Sequence, residues 1–528
     1  MDINGNLAEN IYQCLAKKNY TAYFYKGQAI SSITITEQSK KLAQLLMGSG
    51  VENRHRVLIF LDDTPDFITT FLAVMQIGAI PVPLNPMSKR QYIEHYLKDS
   101  GSNFIVCETR DYANISEISL GIHANVRILI RDTYQANRCD KSYLGSNNPS
   151  FNKVDCIKMS EVSSLKASEE FAKVSSGEAV YWQYTSGTTG QPKAVLHAVK
   201  GIIHSNECYA KQIINIGNDD CLYSTAKLFF GYGLGNSFFF PLMNNATAIL
   251  DDRWPTIETI VENIKCYKPS VIFSVPALYS KLLTHGETIL ETVGKACRYV
   301  SAGSPLSGRT YNSWKWQFGI EILDGIGATE MGHIYLTNRP GCSRSGVTGK
   351  PVEGYQVKIV SEGLANRNKC QGMLYVKGPS VALGYHNNEA ESEKKFKDGW
   401  YRTGDVFTRN KDGDYKYVGR EDDLFKVKGR WVVPGKIEEF IVSNFPAVQE
   451  AVLSPATNDS GGVNPILYFV AHNDTKIQTD IDTKMHEYLR DVFESHYLPG
   501  QYCKLQALPR NDNGKIVRHL LGSQQAVS

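Results

Sequence analysis

At 528 residues the chain is too long for one compact core, and a large domain with at least one smaller partner is expected. Hydrophobic residues make up 42% and charged residues 21%, which excludes a collagen-like or disordered chain, and a formal net charge of +3 gives no ground for a nucleic-acid partner. The eleven cysteines are scattered, with no CxxC pair, which argues against a disulfide or zinc framework and for free thiols in a reducing cytosol.

The amino terminus, MDINGNLAEN, lacks the basic-then-apolar layout of a signal peptide. Residues 57–61 read as a strand; Thr64-Pro65 then starts a helix, with proline tolerated in the first turn, that runs through Phe67 to Gly78. A strand follows at 80–82, a helix at 88–100 and an extended run at 103–107. The best apolar stretch, residues 71–84, is broken by Gln76, Gly78, Pro81 and Pro83, so no membrane span is expected and a soluble cytoplasmic protein is the default. Strands at 271–274, 298–300 and 321–323 alternate with helices at 277–283 and 306–318. Such alternation predicts an α/β fold: a large N-terminal domain of layered, mostly parallel sheets with helices on both faces. The pattern changes near Gly419-Arg420-Glu421-Asp422-Asp423. Beyond it, a helix at 435–445, strands at 448–453 and 466–471 and a helix around 484–493 suffice for a small C-terminal α/β domain. The division expected is 1–421 and 422–528, with a hinge at Asp422; a surface turn in one continuous domain is the competing reading.

The sharpest local signal is Tyr184-Thr-Ser-Gly-Thr-Thr-Gly-Gln-Pro-Lys193. Gly187 and Gly190 let the backbone turn its N–H groups inward as an anion nest, the hydroxyls of Thr185, Ser186, Thr188 and Thr189 add donors, and Lys193 adds a point charge. The loop is no Walker A motif: it lacks Gly-Lys-Ser/Thr, and its flanks, 180–184 and 194–197, read as strands where a P-loop would open a helix. Further on stand Asp324-Gly-Ile-Gly-Ala-Thr-Glu330, Tyr401-Arg-Thr-Gly-Asp405, Gly419-Arg-Glu-Asp-Asp423, Gly429 and Pro509-Arg-Asn-Asp-Asn-Gly-Lys515. Taken alone, each is an ordinary turn. Together and in this order they resemble the adenylate-forming superfamily of acyl- and aryl-CoA synthetases, nonribosomal adenylation domains and luciferases, over nearly the whole chain.

The resemblance implies an enzyme that uses ATP, Mg2+ and coenzyme A, or the phosphopantetheine of a carrier protein. It places the ATP phosphates on residues 185–190 and Lys193, the α-phosphate on Thr329, Mg2+ on Glu330, the ribose on Asp405 with Arg420 beside it, and the adenine between Ser301-Ala302-Gly303 and Asp324-Gly325. Relatives often stack an aromatic on the base where Ile326 stands here. Lys515 would offset the charge that builds as a carboxylate attacks the α-phosphate. The small domain would then swing about Asp422 and bring the Lys428-Gly429 loop to the thiol's tunnel. Lys428 and Arg430 flank Gly429 where relatives often carry smaller or neutral residues, and Lys436 stands where benzoate-type relatives have Glu, although Glu438 is kept.

Lys227-Leu-Phe-Phe-Gly-Tyr-Gly-Leu-Gly-Asn236 and Met331-Gly-His-Ile334 are most similar to the benzoate-CoA ligase branch. That implies an acyl pocket of Phe230, Gly231, Tyr232, Ala302, Gly325, His333 and Ile334, in which Tyr232 and Ile334 flank a ring and His333 faces the carboxylate or a ring substituent. Gly231 and Gly332 replace larger residues, which suggests a substituted or extended aryl acid. A stand-alone enzyme loading an acyl carrier protein is the alternative. A nucleotide-binding pseudoenzyme is opposed by the intact Lys193, Glu330, Asp405, Arg420 and Lys515, and a fatty-acid tunnel by Tyr232. Monomer and homodimer are both open.

Overall fold

The computed structural model describes residues 2, 5–122, 126–132, 155–185, 191–285, 291–292, 297–361, 371–457, 462–471, 480–510 and 516–521. Two sheets organise the first 350 residues. One has nine strands in the order Lys350–Pro351, Ile334–Thr337, Ile322–Gly327, Arg298–Ser301, Val271–Ser274, Cys221–Ser224, Thr247–Leu250, Thr21–Tyr25 and Gln28–Ser31. The other has five parallel strands, Ile80–Pro83, Arg56–Phe60, Phe104–Glu108, Arg127–Arg131 and Asp155–Lys158.

Side-chain alternation along these strands explains the layering. Leu222, Val271, Phe273, Val300 and Leu323 face one apolar core, while Tyr223, Ile272, Tyr299 and Ile322 face another. In the five-stranded sheet Val57, Ile59, Val106 and Leu129 join that first core, and Leu58, Phe60, Ile105 and Ile128 face outward to a third. The two sheets therefore share a middle layer filled by helices, among them Leu7–Leu15, Ser32–Gly48 and Pro65–Gln76. Both faces of each sheet are covered, which is why these strands read as continuous apolar runs. The helix Pro65–Gln76 starts as expected, with Thr64 capping the Phe67 amide at 3.3 Å.

A third sheet departs from the parallel pattern. Gln356–Val360, Gln371–Lys377, Trp400–Arg409, Phe396–Lys397 and Tyr415–Arg420 pair antiparallel throughout. Their connections differ: the Asn410 to Asp414 turn joins Trp400–Arg409 to Tyr415–Arg420 as a hairpin, while the helix Glu389–Lys395 lies between Gln371–Lys377 and Phe396–Lys397. Beyond residue 424, Val448–Thr457, Val463–Ala471 and Gln501–Leu505 form a small sheet. One of its faces packs through Leu453, Leu467 and Phe469 against Ile437, Ile441, Met485 and Leu489 of the helices Pro434–Asn444 and Ile481–Val492. The described cysteines are all free, and no helix among the described residues is long and apolar enough to cross a membrane.

Candidate active site

The strand Ala179–Thr185 pairs antiparallel with Lys193–Ala198, Thr185 facing Lys193 in the last register pair. The connecting Ser186, Gly187, Thr188, Thr189 and Gly190 lie outside the described residues. The ammonium of Lys193 stands 3.1 Å from a carboxylate oxygen of Glu391 and 5.5 Å from the centre of the Tyr385 ring. Tyr385 in turn donates its hydroxyl to Glu330 at 2.7 Å. Burial, reinforced by the Glu330 charge, pushes that hydroxyl well above the ordinary phenol range. Residues 383–386 reach the cluster by running beside the second hairpin strand: Leu383 donates to the Leu196 carbonyl and His386 to that of Ala194, each at 2.9 Å. Sequence reading missed Tyr385 and Glu391, because nothing local ties them to a hairpin about 190 residues upstream.

Thr329 and Glu330 open a short 3-10 turn, Thr329–Met331, directly after the strand Ile322–Gly327. This is the carboxyl edge of the parallel strands, where open α/β sheets gather ligands. At the same edge Ser301, Ala302 and Gly303 end one strand, and Asp324 and Gly325 lie on its neighbour, with Ser301 opposite Asp324 in register. Ser301 Oγ and Asp324 Oδ1 are both buried without a hydrogen-bond partner. Burial holds the Asp324 carboxyl well above the usual carboxylate range; the Gly325 amide and the nearby Ser301 hydroxyl, which falls short of a hydrogen bond, pull the other way. Orphaned buried polar atoms are rare, and these two fit a flat heteroaromatic with donors and acceptors on its edge.

Asp405 and Arg420 face each other across adjacent strands. The guanidinium donates to Asp405 Oδ1 at 2.9 Å and to the Thr403 carbonyl at 3.0 Å. It lies so close over Gly404 (φ +78°) that a Cβ there would meet it at 2.9 Å, so this position requires glycine. Asp405 is buried. Among the described residues no group of three or more His, Cys, Asp or Glu side chains could hold a metal, so a divalent cation would take Glu330 with ligand and water oxygens.

Of the residues expected to line an acyl pocket, Gly231 and His333 share one cavity, Tyr232 lies beside His333, and Gly325 lies beside Ile334. Gly231 opens the short helix Gly231–Leu234 with Phe230 as its cap residue, and Tyr232 hydrogen-bonds the Val300 carbonyl at 3.4 Å. Buried His333 sits among Phe240, Tyr209 and Tyr232, with ring centroids 4.7, 5.2 and 5.7 Å away, and neither of its ring nitrogens has a hydrogen-bond partner. Burial depresses its pKa to about 3, against a weaker pull from the nearby Tyr232 backbone, which falls short of a hydrogen bond, so the imidazole is neutral at physiological pH. Ala302 and Ile334 are buried, and a Cβ on Gly325 would come 3.2 Å from the Ile334 side chain. Gly231, Gly235, Gly332 and His333 line a narrow, partly open cavity of about 20 Å³. Its wall includes two residues that sequence reading did not single out, Tyr181 and His197, stacked at 4.5 Å and 11°. His197 is also buried, with its pKa depressed to about 3 and Nε2 unpartnered.

Asp422 lies in the 3-10 turn Glu421–Asp423, 3.9 Å from Arg420. Lys428 and Gly429 form the turn between the strands Phe425–Val427 and Arg430–Val432, both at positive φ. Lys515 lies outside the described residues. The chain on either side is fixed by an Arg510–Ile516 bridge and by Arg518, which holds Glu438, Asp423 and the Leu453 carbonyl.

Residues 12–386 match the family described as AMP-binding enzyme. The chain is 37% identical to an anthranilate–CoA ligase of Pseudomonas aeruginosa, over 98% of this chain and 96% of that one. With a 4-hydroxybenzoate–CoA/benzoate–CoA ligase of Rhodopseudomonas palustris the identity is 32%, over 95% and 90%. Among solved structures, an anthranilate CoA ligase in complex with anthranoyl-AMP superposes with a TM-score of 0.88 at 25% identity, covering 100% of this chain and 98% of that one. A benzoate CoA ligase from Burkholderia xenovorans gives 0.86 at 28%, covering 98% and 99%.

Proposed function

The chain belongs to the AMP-binding enzyme family, and on that premise we propose that it activates an aryl acid bearing a hydrogen-bonding ring substituent as acyl-AMP and passes the acyl group to coenzyme A. It is an acid–thiol ligase. The observation that carries the substrate reading is His333, a neutral imidazole held by aromatic rings with both nitrogens unpaired. An unsubstituted ring would leave those nitrogens buried and unsatisfied, at about 1–3 kcal/mol each, whereas an amino or hydroxyl group supplies a partner. The likeness to anthranilate and hydroxybenzoate ligases supports the same class.

Residues 185–190 and Lys193 hold the β- and γ-phosphates in this reading, Thr329 the α-phosphate, and Asp405 the ribose hydroxyls, with Arg420 fixing the carboxylate. Ser301, Ala302, Gly303, Asp324 and Gly325 frame the adenine. Mg2+ on Glu330 would neutralise phosphate charge when bound. The ring of the acid lies between Tyr232 and Ile334, walled by Phe230, Gly231, Ala302 and Gly325. One carboxylate oxygen then attacks the α-phosphorus, the α–β bridge breaks, and pyrophosphate leaves. Residues 422–528 act as a domain that turns at Asp422, as their separate apolar core allows. The turn exchanges Lys515 for the Lys428-Gly429 loop, the thiolate attacks the acyl carbon, and AMP departs.

The test is pyrophosphate release across benzoate, anthranilate, the hydroxybenzoates, cinnamate and octanoate, with and without coenzyme A. Anthranilate or a hydroxybenzoate should show the highest kcat/KM. Benzoate exceeding every substituted analogue would remove the assignment to His333.

A second expectation concerns Lys193. Its partner Glu391 occupies the charge that a phosphate would take, in a pair whose side chains are only 14% and 22% exposed. Glu391→Gln should therefore lower KM for ATP about fivefold, the equivalent of ~1 kcal/mol of competing ion pair, with little change in KM for the acid. A raised KM for ATP would mean that Glu391 orients Lys193 rather than competing for it.

A further inference from the structure

The hairpin that follows the hinge is built in a way that folding alone does not explain. Its strands, Phe425–Val427 and Arg430–Val432, pair through Val427 and Arg430, leaving Lys428 and Gly429 as a two-residue turn at φ +48° and +76°. Two positive φ values in such a turn call for Asn, Asp or Gly at the first position. A lysine there is strained, and strain of that kind collects at functional sites.

Lys428 is not alone. Lys426, Lys428 and Arg430 are all exposed, and Lys426 stands 4.7 Å over the ring of Trp431, its cross-strand neighbour. Among the described residues the three cations have one carboxylate between them: Glu494, 3.0 Å from Arg430, with both side chains about two-thirds exposed at 66% and 70%. An exposed pair of this kind is worth little and yields readily to a multivalent anion. Nothing lies within 4 Å of a Cβ built on Gly429, so the tip is open to an approaching ligand.

We propose that this tip binds the phosphates of the thiol substrate, the 3′-phosphate and diphosphate of coenzyme A, through Lys428 and Arg430, with Lys426 and Trp431 fixing the hairpin's shape. The proposal rests on the reading of the chain as a coenzyme A ligase and adds which part of the thiol substrate is recognised, and by what. Several phosphates on one short ligand match cations on successive residues of a turn. An acidic carrier-protein surface offers carboxylates spread over a helix face, a poorer match to a tip this narrow. The Gly429 backbone, free of neighbours, leaves room for the pantetheine arm to pass toward the acyl-AMP while the nucleotide end stays outside.

Thioester formation from supplied aryl-AMP tests this with coenzyme A, 3′-dephospho-coenzyme A and pantetheine, so the result does not depend on the first half-reaction. At low ionic strength KM should rise about tenfold when the 3′-phosphate is removed and further for pantetheine, since each charge-assisted hydrogen bond to a phosphate is worth a factor of that order. Arg430→Gln, which leaves the two-residue turn itself intact, should raise KM for coenzyme A about tenfold and change KM for pantetheine far less. Equal KM values for the three thiols in the wild type would overturn the proposal. So would a variant whose KM for pantetheine rises as much as that for coenzyme A, which would mark a role in the shape of the turn. Turnover with an acyl carrier protein but not with coenzyme A would refute it as well, while leaving the adenylating activity intact. Failure to form any aryl-AMP in pyrophosphate exchange without thiol would instead strike the parent reading.

Discussion

Lys515→Ala should lower aryl-AMP formation by about 10²–10³-fold while leaving thioester formation from supplied aryl-AMP largely intact. The first half-reaction brings a carboxylate against a phosphate, and negative charge builds on the phosphorus oxygens as the bond forms. A cation held where that charge develops is worth far more than one that attracts both substrates equally, because only the transition state gains from it. The second half-reaction places a thiolate against an acyl carbon, and in the proposed exchange Lys515 has no part there. Pyrophosphate exchange reads the first step, and release of AMP from synthetic aryl-AMP with coenzyme A reads the second. Loss of both in equal measure would refute the exchange of Lys515 for the Lys428-Gly429 loop.

The setting of the 515 segment sharpens that expectation. Arg518 donates to Glu438 at 2.9 Å, stands 3.2 Å from Asp423 and reaches the Leu453 carbonyl at 3.2 Å. One side chain thus ties the segment after Lys515 to the residue next to Asp422 and to the small sheet. Arg518 touches no substrate in this scheme and acts by positioning. Arg518→Gln should therefore depress adenylation less than Lys515→Ala and slow the thioester step as well, a split that loss of a charge at the phosphate would not produce.

Much of this was legible in the residues because the signals were local. Thr64-Pro65 announced a helix, apolar runs announced the buried parallel strands, and the flanks of the threonine-rich loop read as strands and are strands. Other features depended on contacts that no window of sequence contains. Glu391 meets Lys193 because residues 383–386 lie along a strand nearly two hundred positions earlier. The antiparallel pairing of the third sheet depends on which strands meet, and no single strand's residues announce it. The run after Phe230, expected to help wall an acyl pocket, is a helix that widens into a π-helical turn, Gly235–Phe239. A Cβ on Gly235 would meet the His333 ring at 2.4 Å, so the glycine is needed for that ring to sit where it does. Composition said nothing of His197, whose significance lies in its burial and its stack on Tyr181.

The two buried histidines should make the protein acid-labile in a way that substitution can isolate. His197 and His333 are each depressed from 6.5 to about 3 by burial. Below pH 6.5 the unfolded chain binds a proton at each site and the native protein does not, so stability is fully present above that pH and lost as pH falls toward 3. At pH 4.5 each histidine accounts for a loss of about 2–3 kcal/mol, large against a total of roughly 5–15 kcal/mol. Buried carboxyls run the other way: burial raises Asp63 to about 6, despite Lys227 nearby, and raises Asp324 as well, so their native forms gain protons over part of the same range. The net wild-type curve therefore mixes opposing contributions, and the informative quantity is a difference between variants. His197→Phe retains a ring to stack on Tyr181 and removes one titration. Relative to wild type it should be more stable by about 2–3 kcal/mol at pH 4.5 than its own difference at pH 7.5, read from urea unfolding at the two pH values. His333→Phe should give a comparable increment among Tyr209, Tyr232 and Phe240, at the cost of selectivity for substituted acids. A variant-to-wild-type difference that stays constant from pH 7.5 to 4.5 would mean that these rings already titrate in the native state, and the neutral His333 on which the proposed substrate recognition rests would fall with it.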